Sequence, residues 1–207
     1  MEQHLNRRDF LLFAICAFIV VISFLIANSL FDEALPEATI DFKITREDAR
    51  ESAQYFLLKR GFDVEPYRHS AIFDFDDQAK TFLERERGLE GATELIDNPV
   101  RLWRWSNRWV RDHEKEEFRV QFTTTGNLVG FEHVIEEKKE GKKLNQQSAR
   151  LIAEQFITEE MGRDLATLSF VETETTERPN RTDHTFTWKL APFEVENATY
   201  RYQIRIQ

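Results

Sequence analysis

The residues of this 207-residue chain whose types could do chemistry are four tryptophans set among arginines, five histidines and a few acidic clusters. Trp103, Arg104, Trp105 and Trp109 share the stretch VRLWRWSNRWV, and Trp188 lies in a second stretch, HTFTWKL. Indole faces beside guanidinium groups stack on ligands through cation–π contact, which makes these five residues the candidate ligand or interaction face. The same residues would also serve as the core and rim of a small sheet. His113-Glu114 opens like the zinc sequence H-E-x-x-H, but Glu117 stands where the second ligand, one helical turn on, is needed. Asp74, Asp76 and Asp77 begin like a calcium loop, yet Gln78 and Ala79 replace an oxygen ligand and the turn glycine. His4, His69, His113, His133 and His184 form no pair at ligand spacing, and no G-x-S-x-G or phosphate-cradling glycine loop occurs. Cys16 is the one cysteine and lies in an apolar run, so no nucleophilic thiol or internal disulfide is available elsewhere. The sequence predicts no catalytic, cofactor-binding or metal-ligating residue.

The element that must position everything else is that apolar run, Phe10 to Phe31, which carries no charge and only Ser23, Asn28 and Ser29 as polar residues. As a helix it reaches roughly 33 Å, enough to cross a hydrocarbon core of roughly 30 Å. Arg7 and Arg8 precede it, whereas Asp32, Glu33 and Glu37 follow it with no basic residue before Lys43. The positive-inside rule then keeps residues 1–9 in the cytoplasm and carries the bulk of the chain outward, at the cell membrane. Ala27-Asn28-Ser29 would also pass as a cleavage site. The apolar run before it is longer than the usual signal core of about 7–15 residues, which favours a retained anchor.

The net charge of −9 disfavours nucleic acid and an anionic lipid surface as partners, and eighteen phenylalanines, thirteen of them outside the run, suffice for a folded core. Thr45 reads as an N-cap, with Ala49, Ala53, Phe56 and Leu57 at helical spacing and a stop near Gly61. Ala71, Phe73 and Phe75 alternate as a strand, Gln78 to Gly88 regains helical spacing, and Leu89 to Ile96 continues after a break at Gly88. Val100 to Val110, Glu117 to Thr123 and Leu128 to Ile135 read as strands, the last two joined by a hairpin at Thr125-Gly126-Asn127. A polar run, EEKKEGKK, then reads as a junction.

After it the pattern restarts. Leu144 to Arg150 repeats Ile44 to Arg50, Asn145 stands at the cap position, and Ala149, Ala153 and Phe156 repeat Ala49, Ala53 and Phe56. With one inserted residue, Gly162 and Asp164 meet Gly61 and Asp63. Phe170 to Thr175, His184 to Leu190 and Tyr200 to Ile204 then take the places of the Ala71 strand, the tryptophan strand and Phe118 to Phe122. Such a repeat signals domain duplication. The first copy spans 39–136 and the second 144–207, the latter ending where its hairpin partner is due, so a further glycine-containing turn and strand are expected after Gln207. The fold class is α+β, one transmembrane helix followed by two tandem modules, each a helix plus a small antiparallel sheet. Asn180-Arg181-Thr182 and Asn197-Ala198-Thr199 are glycosylation sequons in a host that glycosylates.

The segments TREDARESAQYFLLKRGF and NQQSARLIAEQFITEEMGR resemble the PepSY-type modules of exported and membrane-tethered bacterial proteins. The order of FDFDDQAKTFLERE, RLWRWSNRWVR, EEFRVQFTTTGNLVGFEH and RTDHTFTWK is similar to the exported N-terminal region of bacterial intramembrane metalloproteases of the CPBP family. That resemblance implies an accessory region that regulates a protease or recruits its substrate, with a protein or peptide partner or a membrane bundle in cis. It carries no catalytic residue over: the family's E-E-x-x-x-R motif finds Gln121 at the arginine position after Glu116-Glu117, and Arg163 one residue too early after Glu159-Glu160. The alternative is a stand-alone membrane-anchored module that binds a ligand or senses the envelope.

Overall fold

The computed structural model describes residues 6–31, 40–96, 98–191, 193, 195, 196 and 198–207, which fall into two units, Met1–Ile40 and Asp41–Gln207. The first unit holds helix α1, Arg7–Ser29. Asn6 caps it, accepting from Arg7 N, and Asp9 returns the bond to Asn6 N at 2.7 Å. This helix is long and apolar enough to cross a membrane, and none of its residues is buried.

The second unit is α+β. Helix α2 (Arg46–Lys59) leads into a four-stranded antiparallel sheet of β1 (Arg68–Asp74), β2 (Arg104–Val110), β3 (Glu117–Thr123) and β4 (Leu128–Val134), in that spatial order. Helix α3 (Asp77–Leu95) separates β1 from β2 and breaks at Gly88, whose φ of +70° leaves helical space. Helix α4 (Gln146–Gln155) then leads into a three-stranded antiparallel sheet of β5 (Leu168–Glu177), β6 (Thr182–Leu190) and β7 (Arg201–Ile206). The extended reading of Val100 to Val110 is shortened to β2, because Leu102 and Trp103 turn into the interior before the ladder begins.

The repetition extends to single hydrogen bonds. Thr45 accepts from Asp48 N and Asn145 from Ser148 N. Phe62 N donates to Leu57 O, the six-to-one bond that closes a helix around a left-handed glycine, here Gly61 at φ +82°; in the second copy Arg163 N reaches one residue further back, to Ile157 O, around Gly162 at φ +61°. Asp63 then accepts from Glu65 N, as Asp164 does from Ala166 N. The residue inserted in the second copy is absorbed by a π-helical turn, Phe156–Glu160, in which Met161 N reaches back to Phe156 O. At the strands the sequence alignment slips by two. The indole of Trp105 donates to Ile44 O, and in the second copy it is His184 Nε2 that meets the equivalent Leu144 O. Trp109 therefore matches Trp188, and their partners Phe118 and Tyr202 match each other. A slip of two preserves every inward and outward side chain, so the alternation cannot reveal it.

The alanines at the repeated positions are fully buried, which lets each helix lie close on its sheet. Both copies then feed one apolar core: Ala53, Phe56, Leu57, Trp109, Phe118, Val120 and Phe122 join Ala149, Ala153, Ile157, Phe186, Trp188 and Tyr202 in a single cluster. The EEKKEGKK junction is pinned rather than loose. Buried Arg181 donates through Nη1 to the carbonyls of Glu136, Glu137 and Lys139 at 2.9–3.1 Å, and Asn180 Nδ2 donates to Lys138 O. A Cβ on Gly141 would come within 3.0 Å of the Arg181 side chain. The Asn180 sequon is thereby engaged in packing, and Asn197 lies outside the described residues.

Because the core is shared, Phe186→Ala should cost roughly 3–5 kcal/mol and destabilise both copies together. Urea unfolding followed by circular dichroism and by tryptophan fluorescence is expected to give one coincident transition at lower midpoint; two separated transitions, with the first copy unaffected, would contradict the shared core.

Candidate binding site

The five residues singled out for stacking do not converge on one face. Trp109 and Trp188 are buried in the shared core, Trp109 with its ring centroid 4.6 Å from His69 and Trp188 5.7 Å from Phe170. Trp103 is buried against Phe73 and Phe75. Trp105 is half-buried beside Phe42 and Phe73 and spends its N–H on Ile44 O. Arg104 points to the opposite face of β2 and forms a forked bond to Asp74 Oδ2 at 3.0–3.1 Å. Asp74 and Asp76 are thus both occupied, the latter as the N-cap of α3. Among the described residues, no group of three or more His, Cys, Asp or Glu is placed to hold a metal ion.

The most built polar cluster centres on a carboxylate that spacing alone marked only as half of a failed motif. Glu116 accepts from Tyr67 Oη at 3.1 Å, from Lys139 Nζ at 2.7 Å and meets His133 Nε2 at 2.8 Å. These bonds, led by that of Lys139 and opposed by partial burial, hold its carboxyl down at about 2 against the ordinary 4.5. Tyr67 is raised by desolvation and then by its bond to Glu116, and Arg111 stacks 4.1 Å over its ring. Glu117 is consumed separately, by Arg108 and Arg119, and Glu160 by Arg60.

His133 also lines a cavity of about 730 Å³ between the outer edge of β4 and the outer edge of β7. Its walls are Phe131 to Ile135 on one side and Gln203 with Arg205 to Gln207 on the other, and Arg178 and Arg181 also line it. A smaller cavity of about 150 Å³ continues it, between Val129 to Phe131 and Tyr200 to Ile204, over Phe156 and Met161. The two share Phe131 and Gln203 and form one groove along which β4 and β7 run in the same direction.

The groove is fixed at both ends by buried arginines. Arg101 bonds Leu128 O at the start of β4 and Met161 O at 2.8 Å, while its backbone N–H reaches Tyr200 Oη at 3.4 Å. Arg163 adds a 2.9 Å bond to Pro99 O. At the other end Arg181 holds the carbonyls after β4, pairing at the same time with buried Asp183, and Arg178 bridges Asp183 to Glu137.

A family model for the YcdB, YcdC repeated domain matches residues 83–198, more than half of the chain. The chain belongs to the YcdB, YcdC repeated domain family. The family segment enters within α3 and ends after β6, so it takes in parts of both sheets, the pinned junction and both arginine ends of the groove. No curated protein and no solved structure matches the chain.

Sequence reasoning found the tryptophans and missed the arginines. Arg101 sits inside the aromatic–arginine stretch beside the residues singled out and Arg181 in a polar one, and only their burial shows their role. Glu116 gives a direct test. Its folded value lies below the unfolded one, so the stability it adds is complete above about pH 4.5 and is lost as pH falls toward 2. Glu116→Gln should therefore flatten the decline of the unfolding midpoint between pH 5 and 2, as measured by urea melts across that range. Parallel declines in the wild type and the variant would remove Glu116 from this role.

Proposed function

We propose that this chain is a membrane-tethered, extracytoplasmic binding region, in which the tandem copies 39–136 and 144–207 recruit or restrain a polypeptide for a membrane protease of the CPBP type. The observation that carries the tethered reading is the uncharged helix α1 at the head of a repeated-domain chain, with Arg7 and Arg8 before it and an acidic stretch after it. The regulatory or recruiting role is supported by the sequence likeness of TREDARESAQYFLLKRGF and NQQSARLIAEQFITEEMGR to PepSY-type modules. The link to a protease is supported by the order of the later segments, FDFDDQAKTFLERE through RTDHTFTWK. A membrane bundle in cis would supply the catalytic E-E-x-x-x-R motif. The glutamate pairs here are occupied structurally, Glu116 and Glu117 by a histidine, a lysine and arginines, and Glu160 by Arg60.

A stand-alone anchored binding or envelope-sensing protein is the second reading, favoured by a family match that names a repeated domain and nothing else. Reading the gene beyond codon 207 separates the two: several further apolar spans carrying E-E-x-x-x-R support the protease-linked role, and their absence supports the second reading. Orientation is tested independently by fusing a periplasm-dependent alkaline phosphatase after Gln207. High activity is expected, and it should collapse when Arg7 and Arg8 are both changed to Glu while two arginines are placed after the span. An inactive fusion of normal abundance would overturn the extracytoplasmic assignment.

A further inference from the structure

Where the first helix of each copy reaches its edge strand, β1 or β5, the two copies part in chemistry. In the second copy Phe170 lies against Trp188, the Arg150 guanidinium stacks 4.3 Å over the Phe170 ring, and Arg150 Nε bonds Glu154 Oε1 at 2.7 Å. The neighbouring Phe186 is fully buried. In the first copy the strand pairing puts His69 at the place of Phe170, opposite Trp109, and Asn107 at the place of Phe186. Arg50 keeps the position of Arg150, but Gln54 stands for Glu154 and Arg46 for Gln146. An aromatic ring under a closed ion pair is thereby replaced by an open cavity of about 330 Å³, lined by Arg46, Glu47 and Arg50 of α2 and by His69, Ser70 and Ala71 of β1. That volume lies at the lower end of the range of roughly 300–1,000 Å³ that small-molecule sites occupy.

The wall of this cavity is set from behind. Asn107 is fully buried where its counterpart is a phenylalanine, and a buried amide is tolerated only with its hydrogen bonds made. Its Nδ2 donates to Ala49 O at 3.4 Å, which turns Oδ1 to His69 Nε2, 3.0 Å away, so that nitrogen carries the hydrogen. The imidazole is held by this bond and by the Trp109 ring, 4.6 Å from it, while Nδ1 has no partner among the described residues. Burial holds His69 below its ordinary value of 6.5, opposed by the bond to Asn107 and helped by the charges of Arg50 and Arg46 against that of Glu47. The ring is therefore neutral near pH 7, and Nδ1 presents a lone pair. Arg50 Nη1 bonds Glu47 Oε1 at 3.0 Å, an exposed pair of the kind that contributes little, and exposed Arg46 has neither ion pair nor hydrogen bond among the described residues. The cavity offers two guanidinium groups against one carboxylate, with an acceptor nitrogen beside them.

Guanidinium groups call for anionic oxygens, and a bare Nδ1 calls for a hydroxyl donor. A phosphate with one ionised and one protonated oxygen carries both, whereas a carboxylate carries acceptors only. We propose that the α2–β1 cavity of the first copy binds the phosphoryl group of a small molecule, with Arg46 and Arg50 on its oxygens and His69, oriented by Asn107, accepting its hydroxyl hydrogen. This site stands apart from the tether and from any protease, and its test is separate from theirs. The full chain in dodecyl maltoside micelles, which bring no phosphate of their own, is titrated calorimetrically with inorganic phosphate, with glycerophosphate and with dihexanoyl phosphatidate, the last two distinguishing a free phosphoryl compound from a lipid headgroup. One-to-one binding of inorganic phosphate is expected. It should strengthen as pH falls from about 8 to about 6, because the second ionisation of a phosphate lies near 6 and one proton is held between the ligand and Nδ1. Acetate should bind about tenfold or more weakly. Arg46→Gln and His69→Phe, each of which installs the residue of the second copy, should weaken phosphate by about tenfold or more, while Arg150→Gln in the second copy leaves it unchanged. Circular dichroism verifies that the variants fold, and in histidine-labelled chain the ring resonances of His69 should move with the calorimetric midpoint. Absence of phosphate binding by the folded wild type, acetate bound as tightly as phosphate, or an affinity indifferent to both Arg46→Gln and His69→Phe overturns the proposal.

Discussion

The structure of the second unit depends on one constraint: neither copy of the repeat closes a core by itself, and both bury their inner faces in the same one. The first copy brings helices of 14 and 19 residues and a sheet of four strands, the second a helix of 10 residues and a sheet of three. Such small layers leave much of their apolar face open unless something covers it. The cluster that runs from Phe56 and Trp109 through Ala153 and Ile157 to Phe186 and Tyr202 is that cover. Everything else, including the groove, follows from how the two sheets meet around it.

Among the described residues, meeting in this way leaves the outer edges of β4 and β7 on either side of one groove. Exposed sheet edges invite uncontrolled pairing, and here that hazard is confined to a groove whose length is set at both ends. Arg101 and Arg181 do the setting. Both are buried, and both direct their guanidinium groups largely to backbone carbonyls, which cannot ionise or rotate away. An arginine so placed acts as a multi-pronged spacer, its planar fork fixing several carbonyls at once. The Glu116 cluster braces the same wall from outside, joining β4 through His133 to the turn before β3 and to Lys139 beyond the strand.

Much of the fold was legible because its signals are local. Thr45 and Asn145 cap helices because their short oxygens reach the third amide on, and the stops at Gly61 and Gly162 need a left-handed residue. The break at Gly88 and the turn at Gly126 were visible for the same reason. What escaped is what no local rule encodes. A two-residue slip between copies keeps every face of a strand unchanged, so Tyr200 was aligned with Phe118 where the pairing gives Tyr202. The tryptophans have the composition of a ligand face, yet Trp109 and Trp188 are buried in the core that the two copies share and Trp103 against Phe73 and Phe75, which only tertiary packing reveals. The junction EEKKEGKK has the composition of a linker; Arg181, about 40 residues later, is what fastens it.

The central claim is that one core unites the two copies, and native-state hydrogen exchange tests it most directly. The amides of Val120 in β3 and Phe186 in β6 belong to fully buried residues of different copies. If the core is shared, both exchange only through the same global opening, with equal free energy and equal dependence on denaturant. A Phe186 amide that exchanges through a distinctly cheaper opening, while Val120 keeps its protection, would show two separable modules and contradict the account.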